Sequence, residues 1–114
     1  MRVLVCGGRK YDDYRRVFQV LDEHHRNNEI TTIIHGGAEG ADAHAAQWAF
    51  HYDIPSWRFP AKWSQHGKAA GPIRNKQMLA IGLPNLVIAF PGGRGTADMK
   101  AQASGHRVPV VEVQ

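Results

Sequence analysis

Val3-Leu4-Val5-Cys6-Gly7-Gly8-Arg9 is an unbroken apolar run that ends in a pair of glycines. The same grammar returns in Ile34-His35-Gly36-Gly37-Ala38-Glu39-Gly40 and in Phe90-Pro91-Gly92-Gly93-Arg94-Gly95-Thr96. A short run that is apolar at every position suits a strand covered on both faces, which is the signature of a parallel sheet rather than of a half-solvated antiparallel one. Glycines directly after such a run let the main chain turn sharply and approach whatever lies beyond the strand end.

Outward from these turns, five segments read as strands: Val3–Cys6, Thr32–His35, Ile54–Phe59, Leu86–Phe90 and Val108–Val113. Helical patterns fill the intervals at Asp12–Asn27, Ala38–Tyr52, Pro72–Ile81 and Thr96–Ser104. In the first, Tyr14, Val17, Phe18 and Leu21 recur at helical spacing, with Asp12 or Asp13 able to cap the start and Asn27-Asn28 marking the end. In the second, Ala41, Ala45 and Ala49 allow close approach to a sheet beside Trp48. Alternation of strand and helix predicts a Rossmann-like, three-layer α/β fold: a doubly wound, parallel, five-stranded sheet in the order 3-2-1-4-5, built as one domain over residues 1–114. In that order the first strand lies between the second and fourth, and all three glycine turns meet at the topological switch point, where such sheets bind ligands.

At 114 residues and 43% hydrophobic the chain is sized for one core. No apolar stretch reaches the roughly 20 residues of a membrane helix. The amino terminus enters a strand pattern at once, without the features of a secretory signal. The one cysteine, Cys6, permits no internal disulfide, so a cytoplasmic setting is expected. A formal charge of +4 favours anionic partners. No Asp or Glu occurs from Ile54 to Ala97, where Arg58, Lys62, Lys68, Arg74, Lys76 and Arg94 all fall. That stretch is either a solvated face or an anion site.

The residues of the turns point to phosphate. Two turns run straight into a helix, whose first N–H groups have no intrahelical partner and carry the positive end of its dipole. No Gly-x-Gly-x-x-Gly follows the first strand, and Gly67-Lys68-Ala69 lacks the remainder of a Walker loop. Arg9 and Arg94 sit inside the turns, where solvent-facing cations are the alternative. Glu39 and Asp42 open the second helix, either capping it or contacting ribose hydroxyls. Asp98 is a first-turn carboxylate beside the anion site. Trp57 and Phe59 read as core, whereas Trp63, on the long connection Pro60–Gly71, is placed to stack on a base. His24-His25 falls in an exposed helix, and His44 with His51 is a wide pair lacking nearby carboxylate or cysteine partners, so no metal is expected. Cys6 reads as a small buried apolar residue.

Pro91-Gly92-Gly93-Arg94-Gly95-Thr96 resembles the SLOG superfamily, which includes the LOG phosphoribohydrolases and the DNA-processing protein DprA. Three segments resemble its YspA-like, cpYpsA-related branch (DUF2493): Gly36-Gly37-Ala38-Glu39-Gly40-Ala41-Asp42; Trp63 with Gly67-Lys68-Ala69-Ala70-Gly71-Pro72-Ile73-Arg74-Asn75 and Met78; and Pro91 to Met99. The resemblance implies a Rossmann-like fold and a role in sensing or processing nucleotide-derived ligands linked to NAD or ADP-ribose metabolism. It also implies phosphate binding by Arg74, Lys68 and Asn75 with the Gly92–Thr96 loop, and association into homo-oligomers. Where the LOG motif ends in a Glu that serves glycosidic cleavage, this chain has Met99. A methionine can neither donate a proton nor stabilise an oxocarbenium-like centre.

Three functions follow as expectations. The first is binding of a nucleotide-like ligand (ADP-ribose, NAD or a nucleoside phosphate), with no further cofactor required. The second is hydrolysis of an N-glycosidic or phosphate bond, which needs Asp98, Glu39 or Asp42 in the pocket with a raised pKa. The third is binding of single-stranded nucleic acid.

Overall fold

A computed structural model describes residues 1–114. Five parallel strands form one sheet in the order β3-β2-β1-β4-β5: β1 (Arg2–Cys6), β2 (Thr32–His35), β3 (Ser56–Arg58), β4 (Leu86–Ala89) and β5 (Val110–Glu112). The helices are α1 (Tyr14–Asn27), α2 (Ala41–His51), α3 (Trp63–His66), α4 (Ala70–Ala80) and α5 (Arg94–Gly105). The predicted Rossmann-like fold and strand order are the observed ones.

Alternation along β1 assigns its side chains to opposite layers. Val3 and Val5 join Val17, Leu21, Ile33, Ala45 and Trp48 in the core beneath α1 and α2, while Leu4 and Cys6 join Ile34, Met78, Leu79, Val87 and Met99 beneath α4 and α5. Both clusters are buried, so the central strands are covered on both faces. Ala41, Ala45 and Ala49 are fully buried, and their small side chains bring α2 close to the sheet. Trp48 buries its ring there and donates its indole N–H to Asp22 Oδ1 at 2.9 Å. Asp13 caps α1 by accepting from the Arg16 N–H at 3.0 Å.

Four details depart from expectation. The connection after β3 carries the single turn α3 and a 3-10 turn over Gly67–Ala69, and α4 starts at Ala70 rather than Pro72. Strands β3 and β5 are shorter than their apolar runs because each is an edge strand with one partner. Trp57 is 42% exposed instead of core: all three β3 residues are exposed, and only Phe59 beyond the strand is buried. Tyr14 likewise lies on the outer side of α1, half exposed. No helix is long and apolar enough to cross a membrane.

Candidate functional site

All three glycine turns meet at the carboxyl edge of the sheet, and Gly8 is their junction. Its N–H donates to the Pro91 carbonyl at 2.9 Å, and its own carbonyl accepts from the Ala41 N–H at 3.3 Å. The spacing between turns is too small for side chains. A Cβ on Gly7 would lie 2.6 Å from the Ala41 Cβ, one on Gly40 would overlap the Gly8 carbonyl, and one on Gly92 would overlap the Thr96 hydroxyl. These glycines serve loop-to-loop contact. Gly36 and Gly37 instead make room for cations, since a Cβ there would overlap the guanidiniums of Arg74 and Arg58. Only Gly93 and Gly95, among the turn glycines, face open space.

The main-chain amides divide in the same way. Gly36 and Ala38 donate to Asp42 Oδ2 at 2.8 and 3.4 Å, and Gly37 donates to His35 Nδ1 at 3.0 Å. The β2 turn is thus closed from within by two side chains at Gly36, Gly37 and Ala38, which corrects the expectation that Gly36 and Gly37 offer free amides to a ligand. The physical reason is local: Asp42 sits in the first turn of α2 rather than at its cap, which is Gly40, and reaches back over the loop. The N–H groups of Gly7, Gly93, Arg94, Gly95 and Thr96 have no acceptor within the protein. Four of these form the amino-terminal end of α5, where the helix dipole favours an anion.

A cavity of about 310 Å³ opens on these amides, walled by Gly7, Gly8, Arg9, Asp42, Trp63, Arg74, Asn75 and residues Gly93 to Thr96, with Cys6 and Met78 among its deeper residues. A second cavity, of about 350 Å³, adjoins it through the shared Arg9, Ala38, Trp63 and Arg74, and adds Gly37, Glu39 and Arg58. Both lie in the size class of small-molecule sites, roughly 300–1,000 Å³. Between them stands Trp63, 47% exposed, with the Arg9 guanidinium 5.4 Å from its ring centre.

Arg74 is the fixed element of the site. Its Nη1 donates to the Gly36 carbonyl at 3.0 Å and its Nε to Asn75 Oδ1 at 2.9 Å, leaving Nη2 without a partner in the protein. Asn75, itself buried, donates to the Gly95 carbonyl at 3.2 Å and to Asp98 Oδ2 at 2.9 Å, tying α4 to the start of α5. The only ion pair in the molecule joins Lys100 to Glu112, neither of which lines a cavity, so Arg9, Arg58, Arg74 and Arg94 all lack a carboxylate within 4.0 Å. Burial lowers the Arg74 pKa, and the nearby Asp42 opposes that shift. Burial raises the Asp42 pKa, against the Gly36 and Ala38 amides and the Arg74 and Arg9 charges. Cys6 is pushed up to about 12 by burial and by Asp42, so its thiol stays protonated at neutral pH.

The remaining sequence-predicted residues scatter. Asp98 accepts from Asn75 and, at 2.8 Å, from Gln102, and lines neither cavity. Glu39 is exposed on the second cavity, apart from Asp42 on the first. Lys68 lies exposed on the 3-10 turn and lines neither cavity. Pro91 and Gly92 border a shallow recess on the Tyr11 side instead. Met99 is fully buried in the core under α5. Arg58 stands out in the sequence only as one member of a charge run, although its position at the carboxyl end of β3 carried the signal.

His35 supplies a pH test of the closed turn. Burial, with the charges of Arg58 and Arg74, holds its pKa below the ordinary 6.5. Its Nδ1 accepts from Gly37 only when unprotonated. The unfolded chain therefore binds more protons near and below pH 6.5, so this stability is full above 6.5 and is lost as pH falls through the lower folded value. Asp42, with its folded pKa above 3.8, acts in the opposite sense at lower pH: the stability it contributes is present below 3.8 and lost as pH rises through its folded value. Urea unfolding midpoints are expected to drop between about pH 8 and about pH 5.5, and His35→Gln is expected to flatten that slope.

Residues 1–66 match the YspA, cpYpsA-related SLOG family. The chain is 36% identical, over an alignment of 118 residues, to the Gene 61 protein of Mycobacterium phage D29, covering 96% of this chain and 94% of that protein. Among solved structures, the UDP-GlcNAc 2-epimerase of Neisseria meningitidis bound to UDP-GlcNAc shares the fold, with a TM-score of 0.61 at 18% identity. That similarity covers 99% of this chain but 32% of the epimerase chain, so the chain spans about a third of that enzyme. Matched over more than half its length, and along nearly all of it to the phage relative, the chain belongs to the YspA, cpYpsA-related SLOG family.

Proposed function

We propose that this protein binds a nucleotide-derived small molecule, seating a phosphate on the Gly93–Thr96 amides beside Arg74 and Arg94 and a base against Trp63. One observation carries the reading: unpartnered amides at the start of α5 and unpaired guanidiniums converge on a single cavity. Membership of the SLOG family and a fold shared with a protein solved with a nucleotide sugar support the ligand class. The second cavity, with Arg9, Arg58 and Arg74, gives room for a second phosphate or sugar, as ADP-ribose or NAD would need.

Hydrolysis by the LOG route finds less support, because Met99 is in the core and Asp98 is bound to Asn75 and Gln102. Binding of single-stranded nucleic acid predicts a different salt response. Each phosphate neutralised on a single strand adds roughly 0.7 to the slope of log affinity against log salt. Titrations of AMP, ADP-ribose and a DNA 12-mer at two salt concentrations are expected to give a shallow slope and retained affinity for the small molecules. A steep slope, with the 12-mer far the tighter ligand at low salt, would replace this reading by the nucleic-acid one.

Trp63→Ala separates base from phosphate. Base stacking on an aromatic side chain is worth about 1–3 kcal/mol. The variant is expected to lose roughly tenfold in affinity for a nucleoside monophosphate, with inorganic phosphate binding within twofold of the parent, as read by calorimetric titration.

A further inference from the structure

The charged groups that line the first cavity are donors with one exception. Arg9, Arg74, Arg94 and the free amides of Gly93 to Thr96 all donate, and Asp42 is the only carboxylate in the wall. Asp42 is 5% exposed, yet it makes no ion pair. Its Oδ2 is held by the Gly36 and Ala38 amides, while Oδ1 has no hydrogen-bond partner in the protein and belongs to a residue of the cavity wall. Although the residue is buried as a whole, this oxygen is not sealed off, so it can accept from a donor that a ligand brings into the cavity.

Three kinds of ligand group can be weighed against that oxygen. A second phosphate would be repelled by the carboxylate at contact distance. An ammonium group would meet three guanidiniums in the same cavity. A hydroxyl donates without bringing charge, and a nucleotide carries hydroxyls within one sugar ring of its phosphate. Burial raises the Asp42 pKa despite the two amides and the nearby guanidiniums.

Resting on the nucleotide-binding reading above, we propose that Asp42 Oδ1 accepts a hydrogen bond from a sugar hydroxyl of the bound nucleotide, so that the site selects ribose over deoxyribose. The two amides on Oδ2 fix the carboxylate in place before the ligand arrives. Discrimination therefore requires no rearrangement of the loop.

The wild-type protein decides the matter first. Ribonucleoside 5′-monophosphates of the four common bases, their 2′-deoxy and 3′-deoxy forms and their 2′,3′-dideoxy forms are titrated by calorimetry, with inorganic phosphate alongside. A hydrogen bond to a charged acceptor predicts that the ribose forms bind about tenfold or more tightly than the dideoxy forms. The two monodeoxy series identify which hydroxyl is used. In Asp42→Asn the preference is expected to shrink to within about twofold. Inorganic phosphate should bind that variant at least as tightly, because a negative charge has left the cavity. Equal affinity of ribose and dideoxy forms for the wild type overturns the assignment while leaving the nucleotide reading intact. Absence of binding by every nucleotide and by phosphate overturns both. The wild-type comparison holds even where Asp42→Asn fails to fold.

Discussion

Arg74→Ala is expected to lose at least about thirtyfold in nucleotide affinity and, alone among the cavity arginines, to lower stability by about 2–4 kcal/mol. Arg9, Arg58 and Arg94 are exposed, whereas Arg74 is partly buried and holds two elements together through Gly36 and Asn75. Removing its guanidinium leaves the Gly36 carbonyl and Asn75 Oδ1 without their donor and takes away a positive charge that favours ionised Asp42. The loss of affinity follows from Nη2, which is aimed by the two bonds on the other nitrogens and needs no reordering to meet a phosphate. Coupling to Asp42 has a sign that can be measured. In Arg74→Ala the Asp42 carboxylate is buried without a compensating cation, so adding Asp42→Asn should cost less in that background than in the wild type. Urea denaturation of the four proteins, with thermal shifts in AMP for the ligand arm, provides both readings. Unchanged stability in Arg74→Ala would show that the Gly36 turn is held by Asp42 without help from the guanidinium.

The fold was legible because its instructions are local. Apolar runs at Val3–Cys6, Thr32–His35 and Leu86–Phe90 mark strands buried on both faces, and the glycines that follow them mark where those strands must turn. With helical periods between, the right-handed crossover rule and the convergence of the glycine turns leave few strand orders, and 3-2-1-4-5 is the observed one. Edge effects were less legible. Trp57 and Phe59 alternate as core residues would, but coverage of an edge strand depends on whether a helix reaches it, and none covers β3 at Trp57. The single turn α3 is too short for a periodic signal, and the residue at its cap, Lys62, supplies no side-chain hydrogen bond.

Within the site, residue types were legible and their allegiances were not. A carboxylate near the start of a helix reads as a cap, and only three-dimensional placement shows Asp42 holding the preceding loop instead. Asn75 reads as a ligand contact and turns out to have both ends of its amide in use within the protein. Arg58 lies at the end of a three-residue strand, where residue pattern does little to distinguish a site cation from a solvated one. The acid-free stretch thereby divides: Arg58, Arg74 and Arg94 reach the cavities, while Lys62, Lys68 and Lys76 stay exposed outside them.

The glycines of the turns, alike in sequence, are expected to separate into two classes on substitution by alanine. Gly40 has a φ of +74° and a Cβ there would overlap the Gly8 carbonyl. Gly92 would press its Cβ into the Thr96 hydroxyl and to 2.7 Å from the Gly8 nitrogen. In both cases the Cβ meets backbone of Gly8 in a neighbouring turn, which cannot move without opening the junction there, so each variant should lose at least about 2 kcal/mol of stability. Gly93 and Gly95 have negative φ or helical backbone, no atom within 4 Å of where a methyl would stand, and a place on the cavity wall. Alanine there should change stability by less than about 0.5 kcal/mol, with a small gain at Gly95 inside the helix. The added methyl instead occupies space beside the amides assigned to the phosphate, and affinity for AMP and for inorganic phosphate should fall together. If Gly93→Ala and Gly95→Ala bind both ligands as the parent does, the anion does not sit on the start of α5, and the phosphate must be sought in the second cavity among Arg9, Arg58 and Arg74.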